Sequence, residues 1–529
     1  MDSKKPIVLT IEIVKFLKEF EAAFVADKNL KRDNDKTVGT ALIYEKIRVA
    51  LEYQEEHLIF KNAISRILRR KYMLNPGIES KQLVQDLINE LSWANYVNPE
   101  KIDPLDMERI QRAADRYLVI LKYARSGRFK RPDLIKMVLD WLACEIDEVF
   151  IPATENQLLI DYVHSIIRQN LNLKGVKIGD DESEIQLKSA INTLLLKPDY
   201  PLIQFWTLKL VYPDWSTMDL ETLKKMSRSF DPYYNKLDHA LNHPLRKNYL
   251  SFAKRYIAPF ILLRSVLVSQ KLDIDKIIDK PALLFNHLME EYDELVQKGR
   301  EKVWRATMRA LFFILITKIS LAFILEMPFD RILTGRVDYL SLVINVTLPP
   351  LLMFAAGTFI KSPPKKNYIN VASSIIGIIT NNQIENKPFL LVKPKKPSSF
   401  LIFNTAYSLF TLGVLGLVIW LLVYLNFNFV SILLFFFFIS VVSFFSFRIR
   451  NIALELAMKR SRDDTLTSVV ELIFLPFIRI GRTVSDRFAA FNPAILFLDF
   501  LIEAPLKTII KILNSWFRFI NTKKEELEF

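Results

Sequence analysis

Lys318 is the residue whose position in this sequence most directly predicts chemistry. It lies near the middle of a 20-residue apolar segment, 306–325, which also contains Arg309. An ionisable group at the centre of a membrane helix is costly unless it is paired or solvated. The other three long apolar segments contain no Asp or Glu to pair with Lys318. Three interpretations of Lys318 are therefore open. It contacts a substrate or ion in a water-filled cavity, it extends to the membrane surface, or the span ends several residues away from 325.

Pro349 and Pro350 are the second intramembrane feature. They stand in the middle of the charge-free segment 339–360, where prolines free backbone carbonyls and kink a helix. Transporters use broken helices to build binding sites, but prolines are also common in membrane helices in general. The sequence shows no inverted repeat, so a kink without a site is the simpler interpretation.

His239 and His243 have the spacing that places two imidazoles on one face of a helix, as in many metal sites. The pair lacks the glutamate of an HExxH motif, and Pro244 follows it directly. A structural pair is therefore favoured over a metal site. Asp499 and Glu503 also share a helix face and could serve in acid–base catalysis, but nearby lysines favour ion pairs.

Motifs of nucleotide, hydrolase and thiol chemistry are absent from the sequence. It contains no GxxxxGK[ST], GxGxxG, GxSxG or CxxC, and glycine supplies only 12 of 529 residues. The single cysteine, Cys144, lies in an apolar helical stretch, which predicts a buried thiol and not a nucleophile. We therefore predict no catalytic residues, no metal and no cofactor.

Four apolar segments have the length of membrane spans: 306–325, 339–360, 400–425 and 430–447. About 20 apolar residues cross a bilayer core, and the last three segments carry no charge. Only 426–429 separates the last two, which predicts a tight helical hairpin.

Lysine and arginine in the connecting loops predict the orientation. The loop 361–399 has seven lysines, and 448–462 has five basic residues, whereas 326–338 has two and 426–429 has none. By the positive-inside rule, both chain termini are then cytoplasmic. Charged residues interrupt the N-terminal apolar stretch, which therefore does not resemble a secretory signal. Within 361–399, the apolar piece 371–380 is too short to span, and we expect it to dip into the membrane interface.

The formal charge of +14 is concentrated in the apolar half of the chain. Residues 301–529 carry an excess of 11 basic over acidic residues, and residues 1–300 an excess of 3. This distribution favours anionic lipid headgroups over nucleic acid as the partner. In residues 1–300, apolar side chains recur at helical spacing, and a long charged helix beginning near Pro281 runs without a break into the first span.

These patterns predict an all-α protein with three parts. Residues 1–300 form a cytoplasmic helical domain that ends in a stalk helix, and 301–448 form a membrane domain with the four spans. Residues 449–529 form amphipathic helices at the inner interface, around 466–480 and 494–519, with a re-entrant element at 466–480 as the alternative. A prokaryotic plasma membrane is the expected location.

Three functions are compatible with this organisation. The leading hypothesis is a non-enzymatic scaffold whose cytoplasmic domain binds another protein or organises the membrane surface. The alternative is an oligomeric channel or transporter that uses Lys318 and the Pro349-Pro350 kink. The third is a lipid-modifying enzyme at the inner interface that uses His239, His243 or Asp499.

Overall fold

The fold is that of a computed structural model of the full chain. It describes residues 9–31, 58–94, 96–126, 132–172, 178–228, 230–269, 280–335, 339–360, 365–381, 389–390, 400–454, 456 and 465–490. The described residues are nearly all helical, which confirms the predicted helical class. A parallel ladder of two residues per strand pairs β1 (Leu171–Asn172) with β2 (Phe389–Leu390).

Twelve helices precede the first candidate span in the described residues. They are α1 (Ile11–Lys31), α2 (Ile59–Leu74), α3 (Ser80–Trp93), α4 (Pro104–Ser126), α5 (Pro132–Phe150), α6 (Thr154–Arg168), α7 (Asp180–Leu196), α8 (Tyr200–Val211), α9 (Leu220–Arg228), α10 (Phe230–Leu241), α11 (Arg246–Ala253) and α12 (Ala258–Ser269). Short 3₁₀ turns lie at Pro99–Lys101 and Trp215–Thr217.

The helix α13 (Pro281–Leu321) continues through a π-helical turn, Ala322–Glu326, into α14 (Met327–Thr334). The remaining helices are α15 (Tyr339–Phe359), α16 (Lys365–Asn381), α17 (Phe400–Tyr424), α18 (Phe429–Ala453) and α19 (Thr465–Ala490). Four stretches are long and apolar enough to cross a membrane, as predicted: Leu283–Ile332, Tyr339–Phe359, Thr405–Tyr424 and Phe429–Ala453.

Internal contacts divide the chain into two compact units. Unit 1 comprises Met1–Tyr292 and Lys366–Pro394, and unit 2 comprises Asp293–Lys365 and Lys395–Phe529. The predicted domain boundaries at 300 and 448 stay predictions. The contacts differ from them in two respects: most of the loop between the second and third spans groups with the N-terminal helices, and α19 groups with the spans.

Unit 1 has a continuous apolar core centred on α5. Trp141 and Cys144 of α5 are fully buried there, and Trp141 lies edge-on to Trp215, with ring centroids 6.1 Å apart. The core also holds a polar network in which Trp215 Nε1 donates to Tyr117 Oη at 2.8 Å, and Tyr117 Oη donates to Glu145 Oε2 at 2.8 Å. Arg116 pairs with the same carboxylate, so the buried charge of Glu145 is compensated.

Helix α16 contains the piece 371–380, and the structure places it differently from our expectation of an interfacial segment. Its apolar face, including Ile375, Ile378 and Ile379, is buried. These isoleucines line a narrow apolar seam with residues of α1, α12 and α13: Ile13, Pro259, Phe260, Leu263, Leu284 and Leu288. The backbone N–H of Thr10 donates to the carbonyl of Ile379 at 3.0 Å. Protein side chains, and not lipid, therefore cover this face in unit 1.

In unit 2, α19 packs closely on α18. The rings of Phe477 and Phe436 stack with centroids 6.0 Å apart. Gly481 lies directly against the backbone carbonyl of Ser440, where a Cβ atom would collide with that oxygen. The predicted interfacial position of 466–480 stays a prediction, and 494–519 lies outside the described residues.

Candidate functional site

Lys318 is fully buried and forms an ion pair. It lies in the last turn of α13, and its Nζ atom is 2.5 Å from Oε1 of Glu326, whose side chain is also fully buried. The same Nζ atom lies 5.0 Å from the ring centroid of Phe438 in α18, within the range of a cation–π contact. The ammonium group is therefore neutralised by a carboxylate and additionally stabilised by an aromatic ring.

The π-helical turn places Glu326 on the face of Lys318. In a regular α-helix, positions eight residues apart are rotated by about 80° relative to each other, whereas positions seven apart lie nearly in line. A π-helical turn takes up one additional residue, and Ala322–Glu326 is such a turn. The inserted residue thus brings the carboxylate into line with the ammonium group.

Asn345 of α15 is the third member of the site. Its Nδ2 atom donates to Glu326 Oε1 at 2.9 Å and to the carbonyl of Ser431 at 3.3 Å. Both of these neighbours are acceptors, so they fix the orientation of the amide. Glu326 Oε2 and Asn345 Oδ1 are shielded from solvent and have no hydrogen-bond partner among the described residues. Both residues are 0% exposed.

A second buried carboxylate extends this set of polar groups toward the end of the helices. Asp330 in α14 is only 7% exposed, and its Oδ1 atom accepts a hydrogen bond from Asn428 Nδ2. Asn428 Oδ1 caps α18 by accepting from the Ser431 N–H at 2.7 Å. Together with the contacts of Asn345, these bonds form a continuous chain from Asp330 to Lys318, which we call the polar column (Asp330, Asn428, Ser431, Asn345, Glu326 and Lys318).

The polar column ends at an apolar cluster. Residues of three helices form it: Val303, Ala310, Ile314, Met353, Phe438, Val442 and Ile449. Phe438 lies nine residues after the first residue of α18, which corresponds to about 14 Å along the helix axis. This is close to half the roughly 30 Å thickness of a bilayer core. The ion pair therefore lies at mid-membrane depth if α18 spans a membrane.

Pro349 and Pro350 are buried in α15, which continues through both. Pro349 is four residues after Asn345, so the two lie on the same helix face. Without N–H groups, the prolines leave the carbonyls of Asn345 and Val346 without their α-helical donors. The structure thus brings Pro349 near the amide of the polar column, but its role in a site stays a prediction.

The two histidines meet a carboxylate of another helix. His239 Nδ1 lies 3.2 Å and His243 Nε2 lies 3.3 Å from Glu182 Oε1. The backbone N–H of Leu245 donates to His243 Nδ1 at 3.2 Å, so Nε2 carries the hydrogen in the neutral ring and donates to Glu182. Burial lowers the pKa of His243, with Glu182 acting in the opposite direction. This arrangement fits a structural cluster.

The other predicted chemical groups fall elsewhere. Among the described residues, no group of three or more His, Cys, Asp or Glu side chains fits a metal ion. Cys144 is buried, as predicted, and burial raises the pKa of its thiol well above the ordinary value. Asp499 and Glu503 lie outside the described residues.

Sequence reasoning missed Glu326 and Asn345. The segment predicted from the sequence ends at 325, one residue before the carboxylate, and the periodicity shows no inserted residue. An asparagine in an otherwise apolar span is the signal that could have pointed to a polar contact between helices.

The comparisons with known proteins give no family. No family model matches the chain, and neither the curated proteins nor the solved structures contain a match. The composition and length of the four helices are consistent with a membrane protein.

Proposed function

We propose that the protein is a multi-pass membrane scaffold of the plasma membrane, without enzymatic activity, whose unit 1 binds a protein partner. The observation that carries this proposal is the packing of α16 into unit 1. The chain passes between the two units at 292–293, 365–366 and 394–395. Unit 1 is thus joined to unit 2 at three points of the chain, and α13 runs through the first of them. A domain so attached is suited to holding a partner at the membrane.

The same packing supports the proposed orientation. Because α16 belongs to unit 1, we propose that the lysine-rich loop and residues up to 292 lie on one side of the membrane. The positive-inside rule assigns that side to the cytoplasm. Exposed aromatic residues support the depth of the spans, since Tyr424 and Phe429 flank one end of the hairpin and Trp304 lies near the other end of the bundle.

Cysteine labelling tests the orientation. In a Cys144→Ser background, Ser373→Cys on the exposed face of α16 and Arg331→Cys in α14 are treated in intact cells with a membrane-impermeant maleimide. We expect labelling at position 331 only, and labelling at 373 after the membrane is opened. Labelling of both positions in intact cells would contradict the proposed topology.

Co-purification tests the scaffold. The full chain is extracted from its own membranes in mild detergent and examined by native mass spectrometry, and we expect a stoichiometric protein partner together with anionic lipid. Ile375→Asp, in the buried face of α16, should release the partner. The matched control Ser373→Asp, on the exposed face of the same helix, should retain it. A homo-oligomer that carries only lipid would contradict the scaffold.

An oligomeric channel or transporter is the second candidate, and the polar column favours it. Ionisable side chains at membrane depth commonly mark ion or proton pathways. In liposomes, Lys318→Leu should abolish a flux that the exposed control Lys302→Leu retains. Equal flux in both variants would exclude a role of Lys318 in transport.

A further inference from the structure

The first candidate span carries two exposed arginines near the end at which it leaves unit 1. We propose that Arg305 and Arg309 of α13 form a binding site for the phosphate group of an anionic phospholipid, with Trp304 beside them. The inference rests on the membrane placement and orientation proposed above, which put this end of α13 in the inner leaflet. It names the site at which the anionic lipid expected to accompany the protein binds.

The depth of the two arginines matches the phosphate layer of a bilayer. Lys318 lies at mid-membrane depth if the spans cross a bilayer, and Arg309 precedes it by nine residues of continuous helix, or about 14 Å along the axis. Half of a bilayer core measures about 15 Å. Arg309 therefore lies at the edge of the hydrocarbon core. Arg305, about 6 Å further out, lies among the headgroups.

Both arginines share one exposed helix face with large apolar side chains. Phe312 and Ile316 each follow one of the arginines by seven residues, which places them on the same face, and they are 55% and 63% exposed. An apolar face that ends in cations is typical of a helix that contacts lipid up to the headgroup layer. Helical side chains lean toward the N-terminus of their helix, so the side chain of Arg309 is directed toward Arg305 and away from the hydrocarbon core.

Little acidic charge is available in unit 2 to neutralise the two guanidinium groups. Arg305 has an exposed ion pair with Glu301 at 3.6 Å, of a kind that contributes little, and Arg309 has no ion pair among the described residues. The sequence contains no Asp or Glu between Glu301 and Glu326, and the neighbouring helices α15 and α18 contain none. The two arginines and Glu301 together carry a net charge of one positive unit. An anion from outside the chain is therefore the counter-charge that this end of α13 lacks.

Two arginines one helical turn apart suit a phosphate group. Residues four positions apart on a helix are neighbours about 6 Å apart, and each guanidinium can donate two parallel N–H groups to phosphate oxygens. Trp304 is half-exposed, and its ring lies edge-on to that of Phe354 in α15, with centroids 6.2 Å apart. Tryptophan prefers the membrane interface, where its indole N–H can donate to a headgroup. The acyl chains of the same lipid would run along Phe312 and Ile316.

Native mass spectrometry of the full-length protein in detergent tests the site. The protein is freed of lipid and titrated with phosphatidylglycerol or with phosphatidylcholine of the same acyl chains. We expect the wild type to bind phosphatidylglycerol at least tenfold more tightly than the double variant Arg305→Gln/Arg309→Gln does, and the two proteins to bind phosphatidylcholine equally. The matched control Lys298→Gln, two helical turns before Arg305, should bind like the wild type. Equal binding of phosphatidylglycerol by wild type and double variant, or an equal loss for both lipids, would overturn the proposal.

Glu301→Gln provides a readout of opposite sign. Without this carboxylate Arg305 is fully available to the phosphate, so Glu301→Gln should bind phosphatidylglycerol about twofold more tightly than the wild type, as the loss of an exposed ion pair implies. Unchanged or weaker binding would contradict the site. Excess inorganic phosphate should not displace the lipid, because the acyl chains contribute to binding, and displacement would contradict a lipid site.

These measurements are separable from those of the proposed function. Binding in detergent does not depend on which side of the membrane the arginines occupy, and the maleimide experiment tests that orientation separately. Selective lipid binding without a co-purified protein partner would establish the site and contradict the scaffold. A protein partner without selective lipid binding would support the scaffold and overturn the site.

Discussion

Lys318 Nζ and Glu326 Oε1 lie 2.5 Å apart although the two residues are eight positions apart in one helical segment. Two features of the structure make this contact: a π-helical turn that realigns the faces, and α15 and α18, which bury the pair completely. Removing one partner of such a buried ion pair is costly, because it leaves the other charge uncompensated.

Removing one member of the pair should be much worse than removing both. Glu326→Ala leaves the buried Lys318 ammonium uncompensated, and we expect a loss of about 3–5 kcal/mol. The double variant Lys318→Ala/Glu326→Ala should recover a large part of it. A double-mutant cycle on thermal or denaturant unfolding in detergent measures the coupling. The exposed pair Glu294–Lys298 is the control, with an expected coupling of about 0.3–0.5 kcal/mol.

The π-helical turn leads to a separate prediction about the register of the helix. Deleting Phe323, a residue of that turn with 65% exposure, should convert the turn to α-helix and leave Lys318 and the carboxylate aligned at a spacing of seven. We expect the thermal midpoint to change little. Deleting Phe312, an exposed residue of the regular part of α13, rotates the preceding helix by about 100° and should abolish folding. Equal effects of the two deletions would show that the inserted residue does not set the register.

Gly357 should not tolerate a side chain. A Cβ atom there would overlap the Thr307 side chain of α13, which is itself buried. Gly357→Ala should therefore cost about 1–3 kcal/mol, and Thr307→Ala in the same chain should restore most of that loss. Gly413→Ala, at an open helical position in α17, should be neutral or slightly stabilising by helix propensity. Detergent stability of the three variants, followed by tryptophan fluorescence, distinguishes these outcomes.

The contact of α19 with α18 depends on Gly481. Because the obstacle to a Cβ atom is the backbone carbonyl of Ser440 and not a movable side chain, Gly481→Ala should displace α19. We expect faster proteolysis within 465–490 while the spans remain folded. Gly299→Ala, with open space around it in α13, is the matched control and should leave the cleavage pattern unchanged.

Asp147 should make unit 1 more stable in acid. Its Oδ1 atom is shielded and has no hydrogen-bond partner within the described residues. Burial raises the pKa of Asp147 from 3.8 to about 7 in the folded state, with Lys61 acting in the opposite direction. The folded state therefore binds the proton more tightly than the unfolded state, and stability falls as pH rises from about 4 to 7.

Replacing the carboxylate of Asp147 tests the sign of this pH dependence. Asp147→Asn should raise the thermal midpoint of the full chain at pH 8 and flatten its pH dependence. The free energy of unfolding at pH 8 should rise by on the order of 1 kcal/mol for each unit of difference between the folded and unfolded pKa. The exposed Asp133→Asn should retain the pH profile of the wild type. A wild-type protein whose stability rises between pH 5 and 7 in step with that of Asp147→Asn would contradict the assignment.

The sequence by itself determined the helical class and the four candidate spans. Composition and length suffice to recognise a candidate span, because a run of about 20 apolar residues is visible without knowing which residues it contacts. The segments 339–360 and 400–425 accordingly agree closely with α15 and α17. The buried position of Cys144 followed in the same way from the local apolar pattern.

Only the tertiary structure decided where the polar and short apolar groups go. Lys318 finds Glu326 through an inserted residue that periodicity does not show, and Asn345 comes from another helix. The isoleucines of α16 are covered by helices more than 80 residues earlier in the chain. A local pattern indicates that a charge needs an ion-pair partner, or that an apolar face needs other side chains to pack against it. Which group provides it depends on contacts that are distant in sequence, and these exist only in the folded chain.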